Sequence, residues 1–207
     1  MSEMLYGTGC LQSGYSDKDI YFEGDLPSIP VEFKLKDVGR VYNQGQNPWC
    51  AAYTAKQILE YQYRISNVDK VIDVKDLYDK KHNQGEGMIP RDVFDILLHE
   101  GVKCADGKEA RIQYYMRINS LIMLQTAIIS NGPAFLALPV KSMVSQSFWN
   151  GNSDFGGHAI TVIGWNRESF ILKNTWGNDW GDGGYCYLDF TDFDKVFEAW
   201  TLSAKIV

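Results

Sequence analysis

Helices first and strands later: that order predicts an α+β protein built as two unequal layers or subdomains. Three observations carry the expectation. Apolar residues recur at helical spacing over 48–64 and again over 90–98. Beyond the breaker Asn131-Gly132-Pro133 the pattern turns to short apolar and aromatic runs that read as strands. The chain has 207 residues, 45% hydrophobic and 14% aromatic, which suffices for one large core or two small ones.

Taken in order, residues 1–25 mix glycine, aromatics and charge without periodicity, so an irregular arm is expected there. Its Tyr15, Ile20, Tyr21 and Phe22 either pack it onto the body or lay it over a groove; a mobile terminus fits the composition equally well. Leu26-Pro27-Ser28-Ile29-Pro30 is a stiff lead-in to a short extended piece over 31–35. Asn47 suits an N-cap and Pro48 the first helical position, so the helix over 48–64 is expected to start there, with Cys50 in its first turn. Ala51, Ala55, Ile58 and Leu59 follow at core-facing spacing, small residues first, which favours a tightly packed start. A short helix is expected over 74–79 and a loop over 82–88. The helix over 90–98 opens with Pro90 and Asp92 and stops at Gly101. One more helix over 119–130 precedes strands over 134–140, 158–165, 169–174, 185–190 and 199–207. The expected units are therefore the arm 1–25, a helical part 26–115 and a β-rich part 116–207.

Composition excludes several function classes. A net charge of −6 supplies no basic stripe for nucleic acid or an anionic membrane, so neither is an expected partner. The first ten residues lack a cationic start followed by an apolar run, and no stretch approaches the ~18 apolar residues of a membrane helix. The expected location is cytoplasmic, or delivery without a recognisable signal peptide. Cys10, Cys50, Cys104 and Cys186 are widely spaced with no CxxC pair, which favours a reducing compartment.

Cys50 is placed where unpaired N–H groups and the helix dipole favour a thiolate, the nucleophilic form. His158 opens one strand run and Asn174 closes the next, with a short turn over 166–168 between them. An antiparallel hairpin brings such positions together. A thiol, a histidine and an orienting amide are the groups of nucleophilic acyl transfer by cysteine. Each alone has a blander reading: free cysteines are usually buried, a histidine on an apolar strand is usually a bonded core residue, and asparagine often ends a strand. His82 and His99 have no comparable company, and Cys10, Cys104 and Cys186 read as inert thiols. Asp182-Gly183 sits at calcium-loop offsets, but Trp180 occupies a position that needs an oxygen ligand, so no metal is expected.

Gln44 six residues before Cys50, Gly157-His158-Ala159 leading a strand, and Asn174-Thr175-Trp176-Gly177 followed by Trp180-Gly181 and Gly184-Tyr185 resemble the papain family of cysteine peptidases. The resemblance runs from about residue 26 to the end. Pro90-Arg91-Asp92, Glu100-Gly101-Val102 and Gly132-Pro133 resemble its short bacterial and phage members. It implies a helical subdomain carrying Cys50, an antiparallel β-rich subdomain carrying His158 and Asn174, and an active-site cleft between them as one catalytic unit. It further implies hydrolysis of peptide bonds in a peptide or protein substrate and no cofactor; the sequence leaves the oligomeric state open, with a monomer favoured. Residue by residue, Cys50 matches the nucleophile, His158 the acid–base partner and Asn174 the residue that fixes the imidazole. Gln44, with the Cys50 N–H, matches the oxyanion hole, and Trp176 the indole that screens the Asn–His bond. By position, Gly85, Gly87, Met88 and Ile89 would line the cleft. Ala137 and Ala159 would wall a pocket for an apolar side chain two residues before the scissile bond.

The chain also departs from that pattern. The family's cysteine upstream of the nucleophile and the tryptophan after it are missing, and Gly157 stands where aspartate or asparagine is common. His158 and Asn174 follow Cys50 by 108 and 124 residues, short of the ~130–150 of papain-type enzymes, which implies trimmed loops. The rival readings are a thiol amidase or transpeptidase, and a papain-fold binding module without catalysis. With few residues before Leu26, a large helical propeptide is not expected, and residues 1–25 form either a structural belt or a cleft-blocking arm.

Overall fold

The computed structural model describes residues 6–25, 28–140 and 156–206. The elements run β1 (Phe33–Lys34), α1 (Cys50–Ile65), α2 (Val74–Asp79), α3 (Pro90–Asp95), β2 (Val102–Lys103), β3 (Glu109–Ala110), β4 (Ile112–Ile118), α4 (Leu121–Asn131), β5 (Ala134–Pro139), β6 (Gly157–Trp165), β7 (Ser169–Lys173), β8 (Tyr185–Asp189) and β9 (Glu198–Ala204). Seven strands form one sheet in the order β4-β9-β5-β6-β7-β8, with β1 paired to β6, and every pairing in it is antiparallel. This is a papain-like α+β fold with a helical part against an antiparallel sheet.

The sheet is buried on both faces, which is why β5 and β6 read as continuous apolar runs. On one face lies α1, whose Ala51, Ala52, Ala55, Ile58 and Leu59 share a core with Phe135, Ala137, Ala159, Trp200 and Leu202. The alanines at the start of α1 admit its backbone close to β6. On the other face α4 brings Leu124, Ala127 and Ile128 against Ile160, Val162, Trp165, Leu172 and Trp176.

Several expectations need correction. Helix α1 begins at Cys50 rather than Pro48: Trp49 takes the N-cap position without a side-chain cap, and the Asn47 amide instead donates to the Gln44 carbonyl at 2.9 Å. The helix over 90–98 divides into α3 and a wider last turn, Ile96–Glu100, closed by the Gly101 N–H to the Ile96 carbonyl at 2.8 Å. Strand β4 was not expected at all; its Gln113, Tyr114, Tyr115, Met116 and Arg117 show no clean alternation, and it exists because β9 offers it a partner edge. Because β4 spans 112–118, the expected division at 115/116 falls inside a strand. Strand β9 ends at Ala204 and starts one residue earlier than expected, at Glu198. Leu26 and Pro27 of the lead-in lie outside the described residues.

The arm is not free. Gly7 N–H bonds to the Gly45 carbonyl at 2.9 Å and Cys10 N–H to the Gly157 carbonyl at 3.0 Å. Met88 N–H bonds to the Gly9 carbonyl (2.8 Å) and Leu11 N–H to the Met88 carbonyl (3.0 Å), so Cys10 and Met88 pair in parallel. Further along, Asp19 receives both Arg91 (2.9 Å) and Arg117 (2.8 Å), its side chain only 2% exposed. Phe22 N–H then bonds to the Arg117 carbonyl, and its ring enters the second core.

Candidate active site

Two structural accidents of sequence meet at one place. The loop before α1 lies along the chain after β7, with Gln44 N–H on the Thr175 carbonyl (2.8 Å) and Gly177 N–H on the Tyr42 carbonyl (2.9 Å). Gly177 permits this approach: a Cβ there would stand 3.0 Å from the Asn43 amide nitrogen, at a φ of +84°. Cys50 is thereby held against β6, where His158 and Ala159 sit side by side.

The expected hairpin forms as β6–β7, and it brings His158 to Asn174. His158 Nε2 and Asn174 Oδ1 are 2.7 Å apart, and Oδ1 also accepts the Thr175 N–H at 2.8 Å. Trp176 covers this pair, its ring 4.4 Å from the imidazole centroid, and Trp180 packs edge-on behind it at 5.0 Å. His158 Nδ1 is buried and has no hydrogen-bond partner among the described residues. In this form, therefore, no hydrogen bond joins the ring to the Cys50 sulfur.

Burial overrides the helix terminus at Cys50. The thiol is fully covered, and desolvation pushes its pKa up to about 11 against the lowering effect of the Ala159, Ala51, Cys50 and Cys10 backbone N–H groups. Desolvation likewise lowers His158 to about 4, the Asn174 bond opposing it. Both groups are thus neutral here, which corrects the expectation of a thiolate. Part of the cover is the arm, whose Cys10 N–H is among the groups acting on the sulfur.

Gln44 points its amide into the same place, but the arm has taken it. Gln44 Nε2 donates to the Gly7 carbonyl (3.0 Å) and the Asn47 carbonyl (2.8 Å), while Thr175 Oγ1 fixes its oxygen. Trp176 Nε1 donates to the same Gly7 carbonyl at 3.0 Å. Of the expected cleft residues, Met88 pairs with Cys10, and Gly87 lies so close that an added Cβ would be 2.3 Å from the Gly9 carbonyl oxygen. Ala137 and Ala159 are register partners, sharing the core cluster of Cys10. An added Cβ at Gly85 would meet nothing within 4 Å, and Ile89 precedes α3. Thr175, the Gly157 carbonyl and Cys10 were not anticipated as site residues; the tripeptide Gly7-Thr8-Gly9 ahead of Cys10 is the one local sign that a backbone passes something closely there.

Comparison with known proteins agrees with this architecture. The Papain family cysteine protease profile matches residues 99–192, a segment that holds His158 and Asn174 but not Cys50. Macrodontain-1 of Ananas macrodontes is 26% identical over 188 residues, covering 76% of this chain and 88% of that protein. Ananain of Ananas comosus is 27% identical over 201 residues, 79% of this chain but 57% of its own length. Among solved structures, xylellain, a cysteine protease from Xylella fastidiosa, superposes with a TM-score of 0.85 over 98% of each chain at 16% identity. Procathepsin L2 from Tenebrio molitor gives 0.81 over 96% of this chain and 78% of the other, at 19% identity. The fold is that of these papain-like proteases, and the sequence is similar to the papain family over residues 99–192.

Proposed function

We propose that this chain hydrolyses peptide bonds through Cys50, His158 and Asn174, and that the structure is its latent form, with residues 7–13 lying in the substrate groove. The observation that carries the reading is the buried His158–Asn174 bond, which leaves Nδ1 as the one ring nitrogen able to take the thiol proton. Once the arm leaves, water reaches the site and the desolvation that keeps both groups neutral is relieved. The Cys50 sulfur then gives its proton to His158 Nδ1 and attacks the scissile carbonyl carbon. The developing oxyanion takes the Gln44 Nε2 and Cys50 N–H donors. Imidazolium returns the proton to the leaving amine, and water, deprotonated by His158, hydrolyses the thioester. Asn174 holds the ring plane throughout, and Trp176 keeps water from the Asn–His bond.

The test is covalent labelling of Cys50 by an epoxysuccinyl thiol reagent, in the intact chain and in a Gly7→Val/Gly9→Val variant. A Cβ at Gly7 would lie 2.1 Å from the Asn47 carbonyl oxygen and one at Gly9 2.8 Å from Pro48, so valines expel the arm. Labelling that rises in the variant and vanishes on His158→Ala is the expected result. Equal labelling of Cys104, or none in the variant, would count against an activatable thiol.

A further inference from the structure

A second thiol lies beside the nucleophile, and the proposed chemistry does not use it. Cys10 of the arm is 3% exposed, Cys50 is fully buried, and both are free. The arm runs along the segment that leads into α1, residue against residue: Gly7 lies on the Asn47 carbonyl, Gly9 on Pro48, and the Cys10 N–H is one of the backbone groups bonded to the Cys50 sulfur. The same N–H donates to the Gly157 carbonyl at 3.0 Å. Gly157, standing where aspartate or asparagine is common, is what admits this backbone, since a Cβ there would be 2.0 Å from the Cys10 carbonyl oxygen.

A cysteine's own sulfur is joined to its nitrogen through Cα and Cβ alone. An N–H that reaches a neighbouring sulfur therefore leaves its own thiol within one χ1 rotation of it. Little holds Cys10 Sγ in its present rotamer: its bond is to the Leu11 carbonyl at 3.8 Å. The two thiols already act on each other, for after burial Cys50 is the next cause raising the Cys10 thiol pKa. The other cysteines are placed elsewhere. Cys186 belongs to the second core, and Cys104 pairs with Ile72, which is bonded to Glu60 farther along α1.

Resting on the reading of Cys50 as a thiol that becomes nucleophilic when the arm lifts, we propose that Cys10 and Cys50 form a redox modification site: a hydroperoxide oxidises Cys50, and the returning arm seals it as a Cys10–Cys50 disulfide. In the open form the Cys50 thiolate attacks the peroxide, the O–O bond breaks, and the sulfur becomes a sulfenic acid. The alkoxide, or hydroxide from hydrogen peroxide, leaves and takes a proton from solvent. When the arm reseats, the Cys10 thiol gives up its proton and attacks the sulfenic sulfur. The S–S bond forms, the S–O bond breaks, and the hydroxide departs with that proton as water. Both thiols are oxidised and the peroxide is reduced. The disulfide shuts the groove, protects Cys50 from irreversible sulfinic acid, and is reopened by a dithiol.

Two measurements test this. The intact chain is treated with hydrogen peroxide, alkylated under denaturing conditions without reductant, and mapped by tryptic peptide mass. The expected product joins the Cys10 peptide to the Cys50 peptide, while Cys104 and Cys186 remain thiols; linking is slower in the Gly7→Val/Gly9→Val chain, where the arm is unseated. Labelling of Cys50 by the epoxysuccinyl reagent is then followed in the intact chain and in Cys10→Ser, before excess peroxide, after it, and after dithiothreitol. Peroxide abolishes labelling in both; the dithiol restores it in the intact chain, whereas in Cys10→Ser it stays lost because Cys50 has gone on to sulfinic acid. The proposal is overturned if the intact chain yields Cys50 sulfinic acid with no peptide joined to Cys10, if linking is as fast with the arm displaced, or if the dithiol rescues Cys10→Ser equally. If Cys50 takes no label in any chain, arm displaced included, the peptidase reading fails, and the peptide map alone then decides whether the two thiols join.

Discussion

At the residue scale the site is poised but not charged. Cys50 is held up near 11 and His158 down near 4 by the same cause, burial, so the covered chain does not hold the pair in the ionisation the proposed chemistry needs. Gln44 has two jobs that oppose each other. In the proposed mechanism it donates to the oxyanion, and in this structure it holds the Gly7 carbonyl. Gln44→Ala is therefore expected to raise the labelling rate of Cys50 in the intact chain. In the arm-displaced chain it should lower kcat about 100-fold, the usual loss for one oxyanion donor. The candidate residues Cys50, His158, Asn174 and Gln44 stand out in the sequence because each sits in a distinctive local pattern. Cys10 does not, and nothing in the linear chain says that it comes to lie beside Cys50.

At the scale of elements, the arm is fastened by a latch well away from the thiol. Burial alone would raise the Asp19 carboxyl, but the hydrogen bonds and charges of Arg91 and Arg117 outweigh it and hold it below the usual carboxylate range. Removing one partner of a fully buried ion pair costs roughly 3–5 kcal/mol; here the guanidinia are 21% and 17% exposed, and solvent screening reduces that to about 2 kcal/mol. Asp19→Asn should thus speed Cys50 labelling about 30-fold, which time-resolved mass measurement would show. Acid should loosen the arm in two stages. His158 is depressed from 6.5 to about 4 when covered, so the uncovered state binds the extra proton. The stability gained from covering it is full above about pH 6.5 and falls away progressively toward about pH 4. Asp19 follows lower down: its contribution is present above the ordinary carboxylate value of 3.8 and is lost as pH falls through its depressed value. Hydrogen exchange at Gly7 and Cys10, corrected for intrinsic rates, should accelerate between pH 6.5 and 4 and lose that dependence in His158→Gln. A flat profile in the intact chain would remove burial of His158 as the cause.

For the whole molecule, the arm is both occupant and building material. In the proposed latent form residues 7–13 fill the groove, whereas Phe22 belongs to the second core at 7% exposed. Removing residues 1–13 should expose Cys50 to labelling and leave most of the melting temperature. Removing 1–25 should cost a further ~2 kcal/mol from the lost Phe22 side chain, before the latch is counted. Calorimetry on the two truncations separates these contributions. Equal stability would mean that Phe22 packs no better than a surface ring.

What the sequence determined by itself is everything that local periodicity and local chemistry encode. The apolar spacing of α1, the unbroken runs of β5, β6 and β7, and the residue types at 44, 50, 158 and 174 each carry their meaning within about ten residues of chain. Tertiary structure alone decided the rest. Strand β4 forms because β9 pairs with it, the helix starts at Cys50 because Gln44 claims Asn47, and the thiol is neutral because a segment forty residues earlier removes its water. Pairing across a sheet and desolvation depend on residues far apart in the chain. Their energies are set by distance in space and the local dielectric, neither of which is written in the order of residues.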